Sequence, residues 1–226
     1  MESTIQMNDR TVERVSSGRP SRVLLALYRL GMAVHCRLWL GFHVRRGDEL
    51  PDVSGAILMC NHPTGLDMAM LNVAFGPAVL HPDVPRDNAR GFGVRWLRDK
   101  VGAVYHERNS SVTEVRHRTE ALRTCLDMGD CVVEFPERES KPYRWQLGEL
   151  SDRPFFLAAV LDAPIIPVVL APRVTRALNG FVRRKPGFEL RIGTPVWLDR
   201  TLRTREAEAR FRHDVERQMR ELLVLE

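Results

Sequence analysis

The 226-residue sequence contains no run of about 18 consecutive apolar residues, the length a helix needs to cross a bilayer. The nearest stretch, Val23 to Val44, is interrupted by Arg29, His35 and Arg37. A protein attached to a membrane is therefore expected, not one embedded in it. A cleaved leader is not expected either, because the apolar stretch starts late and offers no clean small-residue cleavage site. Cysteine is scarce: Cys36, Cys60, Cys125 and Cys131 form no Cys-x-x-Cys pair, and each sits among apolar residues. That spacing supports neither structural zinc nor a disulfide framework, and it reads as buried, reduced thiols of a cytoplasmic protein. No metal ligands are assigned. The Gly-x-Ser-x-Gly elbow of serine hydrolases is also missing. Nucleic acid is set aside as a partner, because there is no zinc-finger spacing, RNA-binding aromatic signature or clear basic helix.

What is present is the composition of one folded domain, 44% hydrophobic and 28% charged. The net charge is +5, and arginine supplies all but three of the 34 basic residues. Such a balance suits an anionic membrane or an acidic substrate without choosing between them.

Residues 1–20 are polar, carry both charge signs and read as a loose tail. Residues 21–42 form an amphipathic helix: Ser21 is its N-cap, and Leu24, Leu27, Tyr28, Leu30, Val34, Leu38 and Trp39 are apolar beside arginines 22, 29 and 37. This helix suits the interface of a membrane. It reads equally as a core helix whose arginines snorkel to water.

From residue 43 to 226 short apolar runs alternate with helical periodicity. Strands are expected at Ala56–Cys60, Gly102–Tyr105, Cys131–Phe135, Ile165–Leu170 and Phe188–Ile192. Helices are expected at Thr64–Phe75, Gly93–Lys100, Ser111–Met128, Arg153–Leu161 and from about Thr204 to Leu223. The alternation predicts a single α/β domain with a mixed central sheet flanked by helices, plus the N-terminal amphipathic helix.

The chemistry centres on Asn61-His62-Pro63-Thr64-Gly65-Leu66-Asp67. A histidine followed five positions later by aspartate is weak by itself. With 7 histidines and 13 aspartates, chance supplies about 0.4 such pairs, and His43 with Asp48 is a second example. Context separates the two. His43 lies in a polar stretch leading to the Glu49-Leu50-Pro51 turn. His62 instead follows an apolar strand and opens into a helix, which is where α/β proteins place their sites. Neutral His62 is suited to take the proton of an attacking hydroxyl, with Asp67 holding its tautomer. Asp67 would lie in the first helical turn, where the dipole helps keep it ionised. The plainer alternative is a polar turn that merely caps a helix.

These residues resemble the NHxSxxD block of the glycerolphosphate acyltransferase family, the PlsC-like lysophosphatidic acid acyltransferases, with Thr64 where serine is usual. Further blocks recur in the family's order. Val101 to Arg108 is similar to the second, Val133-Glu134-Phe135-Pro136-Glu137 to the start of the third, and Ala163 to Val168 to the fourth. Leu190 to Val196 resembles the closing strand. The resemblance spans roughly residues 40 to 200. It implies an α/β fold with monotopic attachment at the inner face of the cell membrane, and a role in phospholipid biosynthesis. It also implies an acyl-CoA or acyl-carrier-protein donor as co-substrate, a lysolipid acceptor and no further cofactor. Carried over by position, His62 is the base and Asp67 its partner, while Arg108 and Glu137 line the acceptor site.

The third block departs from the pattern. After the glutamate, where the family has Gly-Thr-Arg-Ser, the chain reads Arg138-Glu139-Ser140-Lys141. Arg138 is assigned to the acceptor's phosphate from a shifted position, a task that suits a guanidinium fork. Lys141 is the other cation within reach, and both charges also read as a solvated loop. A phosphate-free acceptor, such as a lyso-aminolipid or a specialised metabolite hydroxyl, is the alternative substrate. A non-catalytic lipid-binding protein of the same fold is the alternative function.

Overall fold

The computed structural model describes residues 22–45, 51–85, 102–106, 111–137, 146–174 and 186–224. Its organisation follows from the second strand, β2 (Ile57–Cys60), in which every residue is buried. Successive side chains of a strand point to opposite faces, so Ile57 and Met59 enter one core and Leu58 and Cys60 another. A strand covered on both faces must be apolar throughout, which is why the run 56–60 lacks polar alternation.

The first core lies beneath α3 (Val112–Asp127), α4 (Arg153–Leu161) and α5 (Thr204–Val224). The second lies beneath α1 (Arg22–Trp39) and α2 (Asp67–Ala74). Between them runs a sheet that adds β1 (His43–Val44), β3 (Leu80–Pro85), β4 (Val104–His106), β5 (Cys131–Glu134), β6 (Ile165–Arg173) and β7 (Gly187–Ile192). Among the described residues the sheet has seven strands in the order β1-β7-β6-β2-β5-β3-β4. All neighbours are parallel except β6 and β7, so the sheet is mixed, as expected for this α/β fold.

Two strands were not anticipated. β1 is only two residues long, too short for any periodicity. β3 carries His81, Pro82, Asp83 and Pro85, which break the apolar signature of a strand. Tertiary partners override that composition. Leu80 to Pro82 pair with β5, and Asp83 to Pro85 pair with β4. The buried polar side chains are satisfied: His81 meets the Gly102 carbonyl at 2.7 Å and Asp130 at 3.1 Å, and Asp83 pairs with Arg118. Gly102 lies at φ +81°, and a Cβ there would stand 2.7 Å from the His81 ring, so both its backbone and its neighbour require glycine.

The helices are set by local signals. Ser111 caps α3 in a capping box with Glu114, each side chain bonding the other's backbone N–H. Pro154 opens α4, and Asp162 ends it in the left-handed conformation. The helix expected from Thr64 begins instead at Asp67, because residues 63–66 form a turn in which the Thr64 hydroxyl accepts the Leu66 N–H at 2.9 Å. The helix expected at 93–100 lies outside the described residues, as does the tail 1–20.

In α1, Leu25 and Cys36 are buried, and Cys36 belongs to the core under α2, against which Tyr28 and Met32 pack. On the opposite side Val23, Leu27, Leu30, Val34 and Leu38 form an exposed stripe with helical spacing. The helix is thus apolar on both faces. No helix among the described residues is long and apolar enough to cross a membrane.

Candidate active site

β2 and β5 are adjacent and parallel, yet the chain leaves them toward opposite faces. From β2 it enters α2 on one side, and from β5 it leads to α4 on the other. Such divergence opens a crevice at the carboxyl ends of two neighbouring strands, the usual binding position in open α/β sheets. His62 follows β2 into this crevice, and Phe135, Pro136 and Glu137 follow β5.

The turn that carries His62 is fixed by Asn61. Pairing between β2 and β6 ends at Cys60 with Val168. One residue further on, the buried Asn61 side chain replaces the backbone: its amide donates to the Leu170 carbonyl at 3.2 Å and its oxygen accepts the Leu170 N–H at 2.8 Å. The ladder continues through a side chain, so the main chain is free to turn away. Pro63 then confines His62 to extended backbone.

Asp67 is the first residue of α2, and its side chain is wholly buried, while that of His62 keeps 31% of its surface exposed. Nδ1 of His62 meets Oδ2 of Asp67, which also accepts the Thr64 N–H at 3.3 Å. The other Asp67 oxygen has no hydrogen-bond partner among the described residues. Burial raises the Asp67 carboxyl above its usual range, and the hydrogen bond and charge of His62 pull it back, followed by the N–H groups of Thr64 and Asp67 itself. Asp67 stands in the first turn as expected, where the neighbouring N–H groups favour its ionised form while burial acts in the opposite sense.

Glu137 is brought to the same place. Its Oε2 accepts the His62 N–H at 3.0 Å, and its Oε1 accepts the Gly148 N–H at 2.7 Å. The Phe135 ring lies 4.7 Å from the imidazole, tilted by 37°. Of the turn's own amides, those of His62, Thr64 and Leu66 are thus engaged inside the protein. Cys60 is adjacent but is no nucleophile: burial first, then the charges of Asp67 and Glu137, hold its thiol well above the ordinary range.

The structure therefore brings His62, Asp67 and Glu137 together, whereas Arg108 and Arg138 lie outside the described residues. His43 sits on the edge strand, 3.8 Å from Glu189, and Asp48 lies outside the described residues. No group of three or more metal-ligating side chains occurs among the described residues. Asn61, Phe135 and Gly148 were missed in the sequence. Asn61 and Phe135 lie within the singled-out motifs without having been given a role, but Gly148 carries no signal of its own.

On the far side of β5 a second polar cluster is buried. Glu134 accepts from Arg153 at 2.8 Å and from Arg118 at 3.4 Å, and Arg118 also pairs with Asp83. Glu134 is held well above the usual carboxylate range by burial first, then by the charge of Asp83 and a hydrogen bond with it, while Arg153 and Arg118 act in the opposite sense.

Among curated proteins, none matches the sequence. The fold is similar to that of a solved structure, the 1-acyl-sn-glycerophosphate (LPA) acyltransferase PlsC from Thermotoga maritima. The two are 15% identical, with a TM-score of 0.53 over 90% of this chain and 97% of that one. A family model described as Acyltransferase matches residues 41–171, more than half of the sequence and the whole span from β1 through Glu137 into β6. The chain belongs to the acyltransferase family and is an acyltransferase.

Proposed function

We propose that the protein transfers a fatty acyl group from acyl-CoA or acyl-carrier protein to the hydroxyl of a lysophospholipid such as 1-acyl-glycerol-3-phosphate. His62 is the general base and Asp67 its partner. The observation that carries this reading is the contact of His62 Nδ1 with a buried carboxylate at the crevice between β2 and β5. With Nδ1 held there, Nε2 is the nitrogen that takes the proton as the acceptor oxygen attacks the thioester carbonyl. The tetrahedral intermediate collapses by breaking the C–S bond, and the imidazolium returns the proton to the departing thiolate. A thioester is already activated, so no protein nucleophile is required, in keeping with the raised Cys60 thiol.

The lysophospholipid acceptor is supported by the likeness to PlsC, whose substrate is of this class. A second reading, a phosphate-free acceptor, is favoured by the third block, where Arg138-Glu139-Ser140 replaces the usual Gly-Thr-Arg. In that case Arg108, Arg138 and Lys141 have no phosphate to bind. The outer stripe of α1, from Val23 to Leu38 and flanked by Arg22 and Arg37, supports our reading of peripheral attachment to an anionic membrane surface at the inner face of the cell membrane.

Turnover of acyl-CoA with lysophosphatidate, measured beside phosphate-free lysolipids and for wild type beside His62→Ala, tests both readings. Transfer to lysophosphatidate that His62→Ala abolishes is expected. Transfer only to the phosphate-free set selects the second reading, and equal rates with and without His62 remove it from the mechanism.

A further inference from the structure

Glu137 occupies a position that the resemblance gives to acceptor binding, but its contacts point inward. Each oxygen already accepts a main-chain N–H, one from His62 and one from Gly148. The two donors come from segments that the crevice would otherwise leave apart, the turn after β2 and the strand-like stretch before α4. That stretch is laid along the end of β5: Ser151 donates its N–H to the Pro136 carbonyl at 3.0 Å, and Glu137 forms a β-bridge with Leu150. Two residues later Arg153 grips Glu134 at 2.8 Å.

His62 is consequently held from three directions. Asp67 takes its Nδ1, Phe135 lies against its ring, and Glu137 holds its backbone N–H. Because Pro63 has no N–H and restricts the backbone before it, the His62 N–H is the donor through which this part of the turn is anchored. The bond is charge-assisted, and it sets where the imidazole starts from. A carboxylate is also a poor neighbour for the phosphate of a lysophospholipid.

We infer that Glu137 is a positioning residue that acts through His62, clamping the turn after β2 to the 148–151 segment, and that it does not bind the acceptor. This rests on His62 being the base. In Glu137→Gln only one oxygen remains to accept, and the amide nitrogen faces the other N–H, so the clamp opens on one side. Misplacing a catalytic group by about 1 Å costs on the order of a hundredfold in rate.

Glu137→Gln is therefore expected to lower kcat by roughly ten- to a hundredfold while the acceptor KM stays within about twofold. A tenfold rise in acceptor KM at unchanged kcat would overturn the inference, and so would no change in either constant. Gly148→Ala provides a milder perturbation of the same carboxylate. Its Cβ would stand 3.2 Å from Glu137 Oε1, which pushes the carboxylate by a few tenths of an ångström. It should reproduce the kcat effect in weaker form, and a purely KM effect there also counts against the clamp. Hydrogen exchange of the His62 amide separates this idea from the acyl-transfer reading. Exchange should speed at least tenfold in Glu137→Gln, and unchanged exchange overturns the clamp whatever the enzyme acylates. If wild type transfers no acyl group while the His62 amide is protected, only the functional reading falls.

Discussion

The wholly buried carboxylate of Asp67 meets Nδ1 of His62, a side chain that keeps nearly a third of its surface open. Partnership between a buried anion and a half-exposed base has opposite consequences for activity and for stability. In the proposed reaction Asp67→Asn removes the charge that stabilises the imidazolium and disturbs the tautomer. The loss of kcat is expected to be on the order of 10²- to 10⁴-fold. The same change removes a carboxyl whose burial raises it above its unfolded range. An acid shifted that way loses folding stability as pH rises from the unfolded value through the folded one. At neutral pH the variant should thus unfold at no lower denaturant concentration than wild type. A variant of normal activity, or one clearly less stable at pH 7, contradicts this account.

Asn61 and Leu170 are 109 residues apart in the chain, yet they exchange two buried hydrogen bonds. Asn61→Ala leaves both the N–H and the carbonyl of Leu170 unsatisfied. The expected cost is about 2–6 kcal/mol of folding stability, given roughly 1–3 kcal/mol for each of the two buried groups left without a partner. Because the turn carrying His62 starts at this residue, kcat should fall as well, and by more than in an equally destabilised variant elsewhere in the core. Urea unfolding together with steady-state kinetics measures both. A stability loss below about 1 kcal/mol would show that water replaces the side chain.

Glu134 lies on the face of β5 opposite to His62, so its protonation should be read in stability before chemistry. Its carboxyl is raised by burial and by Asp83. Wild type should therefore lose stability, relative to Glu134→Gln, as pH climbs from about 4.5 toward the raised folded value. The neutral amide has no such titration. Chemical denaturation of both proteins across pH 4.5 to 8 gives the difference directly, and a difference that does not change with pH rules out the coupling.

The outer stripe of α1 leads to a prediction about attachment. Deleting residues 1–41 would expose the core as well, since Leu25 and Cys36 on the inner face are buried. Leu27→Glu with Leu30→Glu is cleaner, because both side chains are more than half exposed. The double variant should lose binding to vesicles containing anionic lipid while its thermal unfolding is nearly unchanged. Retained binding moves the contact to another surface.

Sequence alone determined the elements whose signals are local. The runs 56–60, 131–133 and 165–170 are apolar because both faces of those strands are covered. Ser111 with Glu114 and Pro154 mark helix starts that need no distant partner. The candidate pair His62 and Asp67 was also legible, though not from its five-residue spacing, which His43 and Asp48 share. Its position after a buried strand and the succession of family blocks carried that reading. Tertiary structure alone decided the rest. β3 became a strand because β5, β4, Arg118 and Asp130 satisfy its polar residues, a compensation that local propensity does not register. The desolvation that raises the Asp67 carboxyl depends on what packs around α2, which local sequence does not register. The joining of Asn61 to Leu170 and of Glu137 to both His62 and Gly148 depends on which strands become neighbours, and hydrogen bonds between residues 11 to 109 positions apart exist only once the sheet has formed.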